Sequence, residues 1–491
     1  MKSKIPHHQS PVKNRLLKSE LFASLPPVWP QDLLTAIRET VAAAHRKIVV
    51  LDDDPTGTQT VYDVPVLTTW EVETLRAEFE NDAACFYILT NSRSLTADAA
   101  RDLNREIANN LKAAADFSQK KFDVISRSDS TLRGHFPLET DVLAQILGGF
   151  DAVLLIPFFE AGGRFTINDI HYVAEGDALV PAAETPFARD AAFGYHSSNL
   201  REWVAEKSGG AVTAKSVAAI SLETIRSGGP DAVREQLLKI SSGNVCVVNA
   251  ACPRDLEVFV QGLLEAEKQG RRFLFRTAAS FVAARLGLAP RPLLTAVDLK
   301  TGTGGGLTVV GSYVPKTTEQ LQRLLEAGET CAVEISVNAL LADATRDSEI
   351  SRAAAEMNHH LRDRKDVVMF TSRMLVTGAD ATASLAIGSQ ISNSLVELVQ
   401  NLSVRPRYLI AKGGITSSDL ATRGLGVKRA LVRGQILPGV PVWEPDATAK
   451  FPGLPYIVFP GNVGDADALK NLVAKLNRKE TASHRSSQCS P

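Results

Sequence analysis

Charged side chains stand directly after a short apolar stretch near the start of the chain. Residues 48–51, with the sequence IVVL, run straight into three consecutive aspartates, Asp52, Asp53 and Asp54. Adjacent carboxylates repel one another, and carboxylates near a core are costly unless positive charge or hydrogen bonds compensate them. A compensated carboxylate can deprotonate a hydroxyl, accept its hydrogen bond or hold a divalent cation. The position therefore predicts a polar site.

Arginines follow the next apolar stretches. Arg93 comes after the stretch CFYILT, and Arg127, Asp129 and Arg133 come after the stretch FDVIS. An arginine can hold a small carboxylate or phosphate with two parallel hydrogen bonds. The alternative is that these acids and arginines pair with each other as surface salt bridges, which contribute little to stability. We favour a polar site because the clusters recur after successive apolar stretches.

Glycine-rich turns take the place of charge in the second half of the chain. They are GS at 311–312, GGITSS at 413–418 and PGNVG at 460–464. Glycine lets a ligand approach the backbone closely, and the free N–H groups of a helix N-terminus attract phosphate. Three such turns predict a cradle for nucleotide phosphates, although each alone can be a tight turn with a hydroxyl helix cap. The chain has no GxxxxGK[ST] motif, so a Walker-type site is not expected.

The elements that must position these clusters alternate along the chain. Short apolar stretches such as KIVVL, CFYILT, FDVIS and DAVLLIP each end in a polar cluster, and several are followed by a helical pattern. Strands that alternate with helices predict an α/β fold with a mostly parallel sheet. The clusters would then lie at the carboxyl ends of the strands, where open α/β sheets bind ligands.

Four glycines lie within residues 300–306, which predicts a flexible connection and hinge between two domains. A dinucleotide-binding loop is disfavoured there, because a strand follows the glycines instead of preceding them. The expected organisation is a disordered arm over 1–30, a substrate-binding domain over 31–300, a nucleotide-binding domain over 301–478 and a disordered tail over 479–491.

Composition excludes several classes of protein. The formal net charge of −1 over 491 residues argues against nucleic acid or an anionic membrane surface as a partner. No apolar stretch approaches the about 18 residues of a membrane span, and the N-terminus lacks a signal-peptide core. The five cysteines are scattered without a CxxC pair, which fits a reducing compartment. We therefore expect a soluble cytoplasmic protein.

Two chemically different sites on two domains suit phosphoryl transfer from a nucleotide to a small anionic polyol. A nicotinamide-dependent dehydrogenase fits less well, because the chain lacks the glycine fingerprint in its proper context. A two-domain binding protein without catalysis remains an alternative. Metal ligands cannot be assigned, since the paired histidines His359 and His360 lie in a polar helical stretch and no HExxH motif occurs.

Taken together, the motifs DDDPTG, NSRS, SDSTLRG, GGITSSD and PGNVGD resemble those of the four-carbon acid-sugar kinases, in order, from about residue 47 to residue 476. The resemblance implies an N-terminal acid-sugar-binding domain, a C-terminal nucleotide-binding domain and an active site in the cleft between them. It implies ATP and Mg²⁺ as cofactors, a hydroxyl of threonate, erythronate or 3-oxo-tetronate as acceptor, and a homodimer as the assembly.

The resemblance also assigns residues. Asp53 and Asp54 match the family's acidic pair and are the candidate catalytic residues, with Asp53 as the expected base. The candidate substrate-binding residues are Asp53, Arg93, Arg127, Asp129, Ser130, Thr131 and Arg133, beside the matching Thr56, Gly57 and Gly134. The candidate nucleotide-binding residues are Ser312, Gly413, Gly414, Thr416, Ser417, Gly461, Asn462 and Gly464.

The departures from the family pattern all lie in the acid-sugar half of the chain. Asp52 is a third acid, Arg127 stands where many relatives have lysine, and His135 stands where asparagine is frequent. These departures concern the identity of the acid more than the reaction.

Overall fold

The computed structural model describes residues 16–477, apart from residues 242, 300, 374–375 and 377–380 and the side chains of 381–385. The expected tail and the first half of the expected N-terminal arm lie outside the described residues. The second half of that arm is ordered. Its residues Leu16–Leu17 form a strand and Lys18–Ala23 form a helix.

The strands follow one another along the chain. They are β1 (Leu16–Leu17), β2 (Arg46–Asp52), β3 (Val64–Leu67), β4 (Cys85–Leu89), β5 (Lys121–Arg127), β6 (Ala152–Ile156), β7 (Arg164–Ile167), β8 (Ile170–Glu175), β9 (Ala178–Pro181), β10 (Ala218–Ile220), β11 (Asn244–Val248), β12 (Phe273–Thr277), β13 (Leu307–Val310), β14 (Cys331–Ile335), β15 (Val367–Thr371), β16 (Leu409–Lys412), β17 (Arg429–Leu437), β18 (Val440–Pro445) and β19 (Tyr456–Phe459).

The helices alternate with these strands over much of the chain. They are α1 (Lys18–Ala23), α2 (Leu34–Ala44), α3 (Val72–Glu80), α4 (Ala97–Ser118), α5 (Leu138–Leu147), α6 (Leu200–Lys207), α7 (Leu222–Arg226), α8 (Gly229–Lys239), α9 (Pro253–Lys268), α10 (Ala279–Arg285), α11 (Pro315–Glu326), α12 (Val337–Leu341), α13 (Asp343–Arg362), α14 (Ala381–Gln400), α15 (Gly414–Asp419) and α16 (Ala468–Asn477).

The chain forms two compact units, and it passes between them more than once. The first unit comprises Met1–Asp53 and Leu95–Ala289, and the second comprises Asp54–Ser94 and Pro290–Pro491. Segment Asp54–Ser94, which we expected in the first domain, therefore packs with the second unit. Its strand β3 pairs with β17 in an antiparallel register.

The first unit contains a parallel sheet with the strand order β10, β11, β6, β12, β5 and β2. Its central strands are apolar and buried along nearly their whole length, which is typical of parallel sheets covered by helices. Because β5 pairs with both β2 and β12, the carboxyl ends of these three strands are neighbours. In this register Asp52 lies opposite Arg127.

The first unit also contains a small antiparallel sheet with the order β1, β9, β8 and β7. We expected residues 158–169 to be only a polar cluster after a strand. Instead, β7 and β8 form a hairpin whose turn residues Asn168 and Asp169 have positive φ angles of 53° and 64°. Asparagine and aspartate tolerate this conformation better than most residues.

The second unit contains a mixed sheet with the order β4, β3, β17, β18, β19, β16, β13, β15 and β14. Strands β19, β16, β13, β15 and β14 are parallel to one another, and the three glycine turns follow β13, β16 and β19. Side chains such as Val310, Ile410 and Ile457 from these strands pack with Leu321 and Leu472 from helices α11 and α16.

The glycines before β13 are not a flexible connection throughout. Gly305 and Gly306 are buried, and Gly306 N donates a 2.7 Å hydrogen bond to Asp366 Oδ1. A Cβ on Gly305 would lie 2.0 Å from Lys365 O, and one on Gly306 would lie 2.1 Å from the ring of Tyr408. These glycines are needed for close packing, because no side chain fits there.

Candidate active site

The aspartates that follow β2 are compensated by an arginine on the neighbouring strand. Asp52 and Asp53 are 1% and 3% exposed. Arg127 Nη1 lies 3.1 Å from Asp52 Oδ1 and 3.4 Å from Asp53 Oδ1. We expected Arg127 to hold a substrate carboxylate, but the parallel register of β2 and β5 directs its guanidinium to these two acids. Its positive charge offsets their repulsion.

A second arginine, Arg276, places positive charge near Asp53 and donates through Nη2 to Arg133 O at 3.1 Å, and it was not among the predicted residues. Arg276 lies on β12 and is fully buried. Burial lowers the pKa of its guanidinium, while the nearby charge of Asp53 opposes that shift. A Cβ on Gly134 would lie 3.4 Å from Asp53 Oδ2 and 3.8 Å from Arg276 Nη2, so this turn lies directly beside both groups, and its φ of +122° favours glycine. The signal was present in the stretch FLFRT, which ends in charge like the other strands.

The loop after β5 contains the predicted residues Asp129, Thr131 and Arg133. Arg133 Nε lies 2.7 Å from Asp129 Oδ2, and the Thr131 hydroxyl donates to the same carboxylate oxygen. The backbone of Leu132, between them, has a φ of +70°. A non-glycine residue in this region costs free energy and is found most often at functional sites. The side chain of Arg133 is 27% exposed, and its Nη1 lies 3.6 Å from Asp190 Oδ2.

Two buried residues outside the motif hold this loop in place. His171 Nε2 lies 2.8 Å from Ser130 O, and its Nδ1 lies 3.0 Å from Thr166 Oγ1. A carbonyl can only accept, so Nε2 donates to Ser130 and Nδ1 accepts from the Thr166 hydroxyl. Burial lowers the pKa of His171 to about 4, which keeps the ring neutral. Tyr195 also donates its hydroxyl to the loop, at 2.9 Å from Thr131 O.

The third aspartate lies in the other unit, beside a glycine turn. Asp54 Oδ1 accepts a 2.8 Å hydrogen bond from Thr56 N, and Asp54 Oδ2 forms an ion pair with Arg93 Nη2. A Cβ on Gly414 would lie 2.7 Å from Asp54 Oδ2. Asp54 and Arg93, predicted from two successive polar clusters of the sequence, are thus placed together with the nucleotide turns of the second unit.

The three glycine turns lie close together in the second unit. A Cβ on Gly413, whose φ is +115°, would lie 2.9 Å from Ser312 Cβ, and one on Gly311 would lie 2.6 Å from Thr416 Oγ1. A Cβ on Gly461 would lie 3.7 Å from Ser312 Oγ. The structure therefore brings four of the predicted residues, Ser312, Gly413, Thr416 and Gly461, into one region.

The remaining predicted residues of these turns have different surroundings. Ser417 is buried, and its hydroxyl donates to Ala411 O and Gly413 O at 2.8 and 2.7 Å, so it holds the turn. Gly464 has a φ of +83°, and a Cβ there would lie 2.4 Å from Ala468 Cβ. Asn462 is exposed beside them.

A buried lysine connects two of the turns, and the sequence analysis missed it. Lys412 is the last residue of β16, and its Nζ donates to Pro460 O at 2.6 Å. The same Nζ lies 3.9 Å from the centroid of the Phe459 ring. Burial, followed by the nearby charge of Lys316, lowers the pKa of Lys412 to about 7. The signal was its position between an apolar strand and a glycine pair.

A second cation, Arg373, lies at the first glycine turn. Its Nη2 donates to Ser312 O at 2.9 Å and to Thr318 Oγ1 at 2.6 Å. Its buried Nε and Nη1 have no hydrogen-bond partner among the described residues. Guanidinium donors of this kind favour an anionic oxygen as a partner. In the sequence, the one indication of a functional role for Arg373 was its position just after a strand.

The residues present fit a metal ion that is held mainly by phosphates. Within the described part of the chain, no group of three or more histidine, cysteine, aspartate or glutamate residues is arranged to hold a metal. Mg²⁺ commonly takes one or two protein carboxylates and completes its shell with phosphates and water. Asp54, beside Gly414, is a carboxylate of that kind.

No helix in the described ranges is long and apolar enough to span a membrane.

Comparison with known proteins gives the family of the chain. The family model of a sugar-binding N-terminal domain matches residues 48–285, and that of a nucleotide-binding C-terminal domain matches residues 307–469. The D-erythronate kinase of Heliobacterium modesticaldum is 27% identical over 408 residues, which cover 80% of this chain and 87% of that protein. The chain belongs to the four-carbon acid-sugar kinase family.

Two solved structures share the fold. A Haemophilus influenzae protein assigned to a domain of unknown function has a TM-score of 0.60 and 19% identity, and the match covers 87% of this chain and 100% of that one. A Salmonella typhimurium LT2 protein, provisionally named a tRNA synthase, has a TM-score of 0.63 and 17% identity. That match covers 88% of this chain and 99% of the Salmonella chain. These likenesses concern the fold alone. The α/β prediction and the family resemblance are both confirmed.

Proposed function

We propose that the protein is an ATP-dependent kinase that phosphorylates a hydroxyl of a four-carbon acid sugar, with erythronate, threonate and 3-oxo-tetronate as the candidate acceptors. One observation carries the proposal. The unit matched mainly by the sugar-binding family model holds buried acids and arginines at one strand edge, while the second unit holds three glycine turns with Lys412 and Arg373. Such a pair of sites suits an anionic acceptor and a phosphate donor.

In the first unit, Arg133 would bind the carboxylate of the acid sugar, because it is the arginine of the DSTLRG loop that keeps exposed surface. Asp53 would accept the proton of the attacking hydroxyl. Arg127 and Arg276 would keep Asp53 ionised by stabilising its charge, and neither needs to touch the substrate for that role. His171 would position the loop through Ser130.

In the second unit, the backbone N–H groups of the glycine turns would bind the ATP phosphates. The unpartnered donors of Arg373 and the charge of Lys412 would add positive charge beside them. Asp54 would hold Mg²⁺ together with the phosphates. Bound Mg²⁺ supplies charge neutralisation on the phosphate oxygens.

The direct test is ADP release with ATP and Mg²⁺ against a panel of acids. The panel contains both enantiomers of erythronate and threonate, 3-oxo-tetronate, and succinate as a four-carbon acid without a hydroxyl. We expect ADP release with one or more of the hydroxy acids and none with succinate. Absence of ADP with every acid, from folded protein that binds ATP, would disprove the kinase proposal.

The same panel separates the two alternatives. A dehydrogenase would change the absorbance of NAD(H) with a hydroxy acid and release no ADP. A binding protein without catalysis would bind ATP or the acid in calorimetry and convert neither. Mass spectrometry of the acid, which gains one phosphoryl group in the kinase case, completes the test.

A further inference from the structure

The first unit has a cavity that the proposed reaction does not use. It has a volume of about 710 Å³ and lies between helix α2, the end of α9 and the first residues of β2 and β5. This volume is in the range of small-molecule sites. The lining residues are Ala36, Glu39, Thr40, Val41, Ala43, Ala44, Arg46, Ile48, Asp123, Leu264, Glu267, Lys268, Gly270, Arg271, Arg272 and Arg285.

The cavity is remote from the candidate substrate edge of the same unit. Arg46, which lines the cavity, is the first residue of β2, and Asp52, which contacts Arg127, is the last. Seven residues of strand span about 20 Å. A ligand in the cavity would therefore be separate from an acid sugar bound at the other end of the strand.

A chain of ion pairs lines one side of the cavity. Arg46 Nη2 lies 2.5 Å from Asp123 Oδ1, and Arg285 Nη2 lies 3.2 Å from Asp123 Oδ2 and 2.7 Å from Glu267 Oε2. The pKa of Glu267 is raised to about 7 because burial disfavours its charged form. Burial therefore weakens the negative charge that Glu267 presents to Arg285.

Arg285 has donors that the protein leaves unused. Its side chain is 3% exposed, and its buried Nε and Nη1 have no hydrogen-bond partner among the described residues. A buried guanidinium with open donors is costly and favours an acceptor oxygen, most strongly an anionic one. Lys268 and Arg271 also line the cavity, but each already pairs with an acid, at 2.8 Å from Glu265 Oε1 and 2.6 Å from Asp151 Oδ1, so Arg285 is the group that most favours an anion.

The other walls of the cavity are apolar. They are formed by Ala36, Val41, Ala43, Ile48 and Leu264. A ligand that fills the cavity thus meets positive charge on one side and aliphatic side chains on the other.

We propose that this cavity binds a small organic anion whose carboxylate or phosphate group contacts Arg46 and Arg285 and whose short apolar body packs against α2 and Leu264. The proposal is independent of the kinase function.

The test uses calorimetric titration of the full chain without ATP or acid sugar. The probes are hexanoate and hexyl phosphate, with hexanol and hexylamine as neutral and cationic controls of similar size. We expect saturable binding of at least one anion, about tenfold or more tighter than the binding of hexanol or hexylamine. Equal binding of the amine, or no saturable binding of either anion, would overturn the proposal.

Matched variants locate the binding. Ala43→Trp fills the cavity, while Ala42→Trp adds the same side chain at an exposed position of the same helix that does not line it. We expect Ala43→Trp to weaken anion binding by about tenfold or more and Ala42→Trp to leave it unchanged. Arg46→Gln should weaken it as well, with the anion-over-hexanol preference reduced. Anion binding that survives Ala43→Trp in full places the anion elsewhere and contradicts the proposal.

Discussion

Asp54 Oδ2 lies so close to Gly414 that a Cβ on the glycine would be 2.7 Å away. The carboxylate cannot move aside freely, because Thr56 N and Arg93 Nη2 hold it. The third aspartate of the triplet and the second glycine of the GG turn thus share one small space in the second unit. This contact joins two motifs that are 360 residues apart in the chain.

Gly414→Ala should therefore disturb Asp54. The added methyl group must displace the carboxylate or the turn, and we expect kcat/KM for ATP to fall by about ten- to a hundredfold. Gly388→Ala is the control, since a Cβ on Gly388 would meet nothing within 4 Å. Steady-state kinetics of both variants check this, and full activity of Gly414→Ala would show that the close contact has no role.

Asp53→Asn should abolish most turnover if Asp53 is the base, because an amide cannot take the hydroxyl proton. We expect kcat to fall by about a hundredfold or more, with KM for ATP little changed. Asp52→Asn is the control, because Asp52 contacts the same arginine, Arg127, but is not the proposed base. We expect this variant to keep its activity within about tenfold of the wild type. Single-turnover kinetics distinguish the two variants. Near wild-type turnover of Asp53→Asn would exclude Asp53 as the base.

Nucleotide affinity should fall as pH rises through the pKa of Lys412. Because that pKa is about 7, the side chain loses its charge above neutral pH and its attraction for phosphates with it. We expect Kd for ADP to rise about three- to tenfold between about pH 6 and about pH 9. Lys412→Arg should remove this rise, since arginine stays charged over the whole range.

The protonation of ADP also changes over this pH range, but it affects wild type and variant equally. The ratio of their Kd values at each pH is therefore independent of it. Lys412→Met should bind ADP weakly at every pH, which keeps the test valid if arginine does not fit the buried position. Thermal melts establish that each variant is folded. A pH dependence that persists in both variants would assign it to another group.

His171→Gln should change the pH dependence of stability. The pKa of His171 is about 4 in the folded protein and about 6.5 when unfolded, so the unfolded state binds more protons between these values. The free energy of unfolding of the wild type therefore falls as pH drops through this window. At pH near 7 the variant should be less stable by about 1–2 kcal/mol, because a glutamine amide that donates to Ser130 O does not also accept from the buried Thr166 hydroxyl as the ring does.

As pH falls toward about 5, the stability gap between wild type and His171→Gln should narrow, because glutamine does not titrate. Urea unfolding at both pH values measures the gap. A gap that stays constant or widens would show that His171 is not held neutral. The variant should also raise KM for the acid more than it lowers kcat, since the loop positions substrate.

Local sequence patterns were sufficient to predict the fold class and to predict that the polar clusters follow the ends of strands. Strands such as β2, β5 and β16 are short apolar stretches that end in charge or glycine, and that signal lies within a few residues. Strand β17 could also have been predicted, because polar Arg433 and Gln435 alternate with apolar Val432 and Ile436, and the structure buries the apolar positions.

The sequence by itself therefore determined an α/β protein of the acid-sugar kinase family, with acids and arginines in its first half and glycine turns in its second. Only the tertiary structure decided which charges meet. Arg127 contacts Asp52 because β5 and β2 pair in register, and the charge of Arg276 lies near Asp53 although the two residues are more than 200 positions apart in the chain. Periodicity and turn chemistry are local, whereas strand order and register depend on packing across the whole unit.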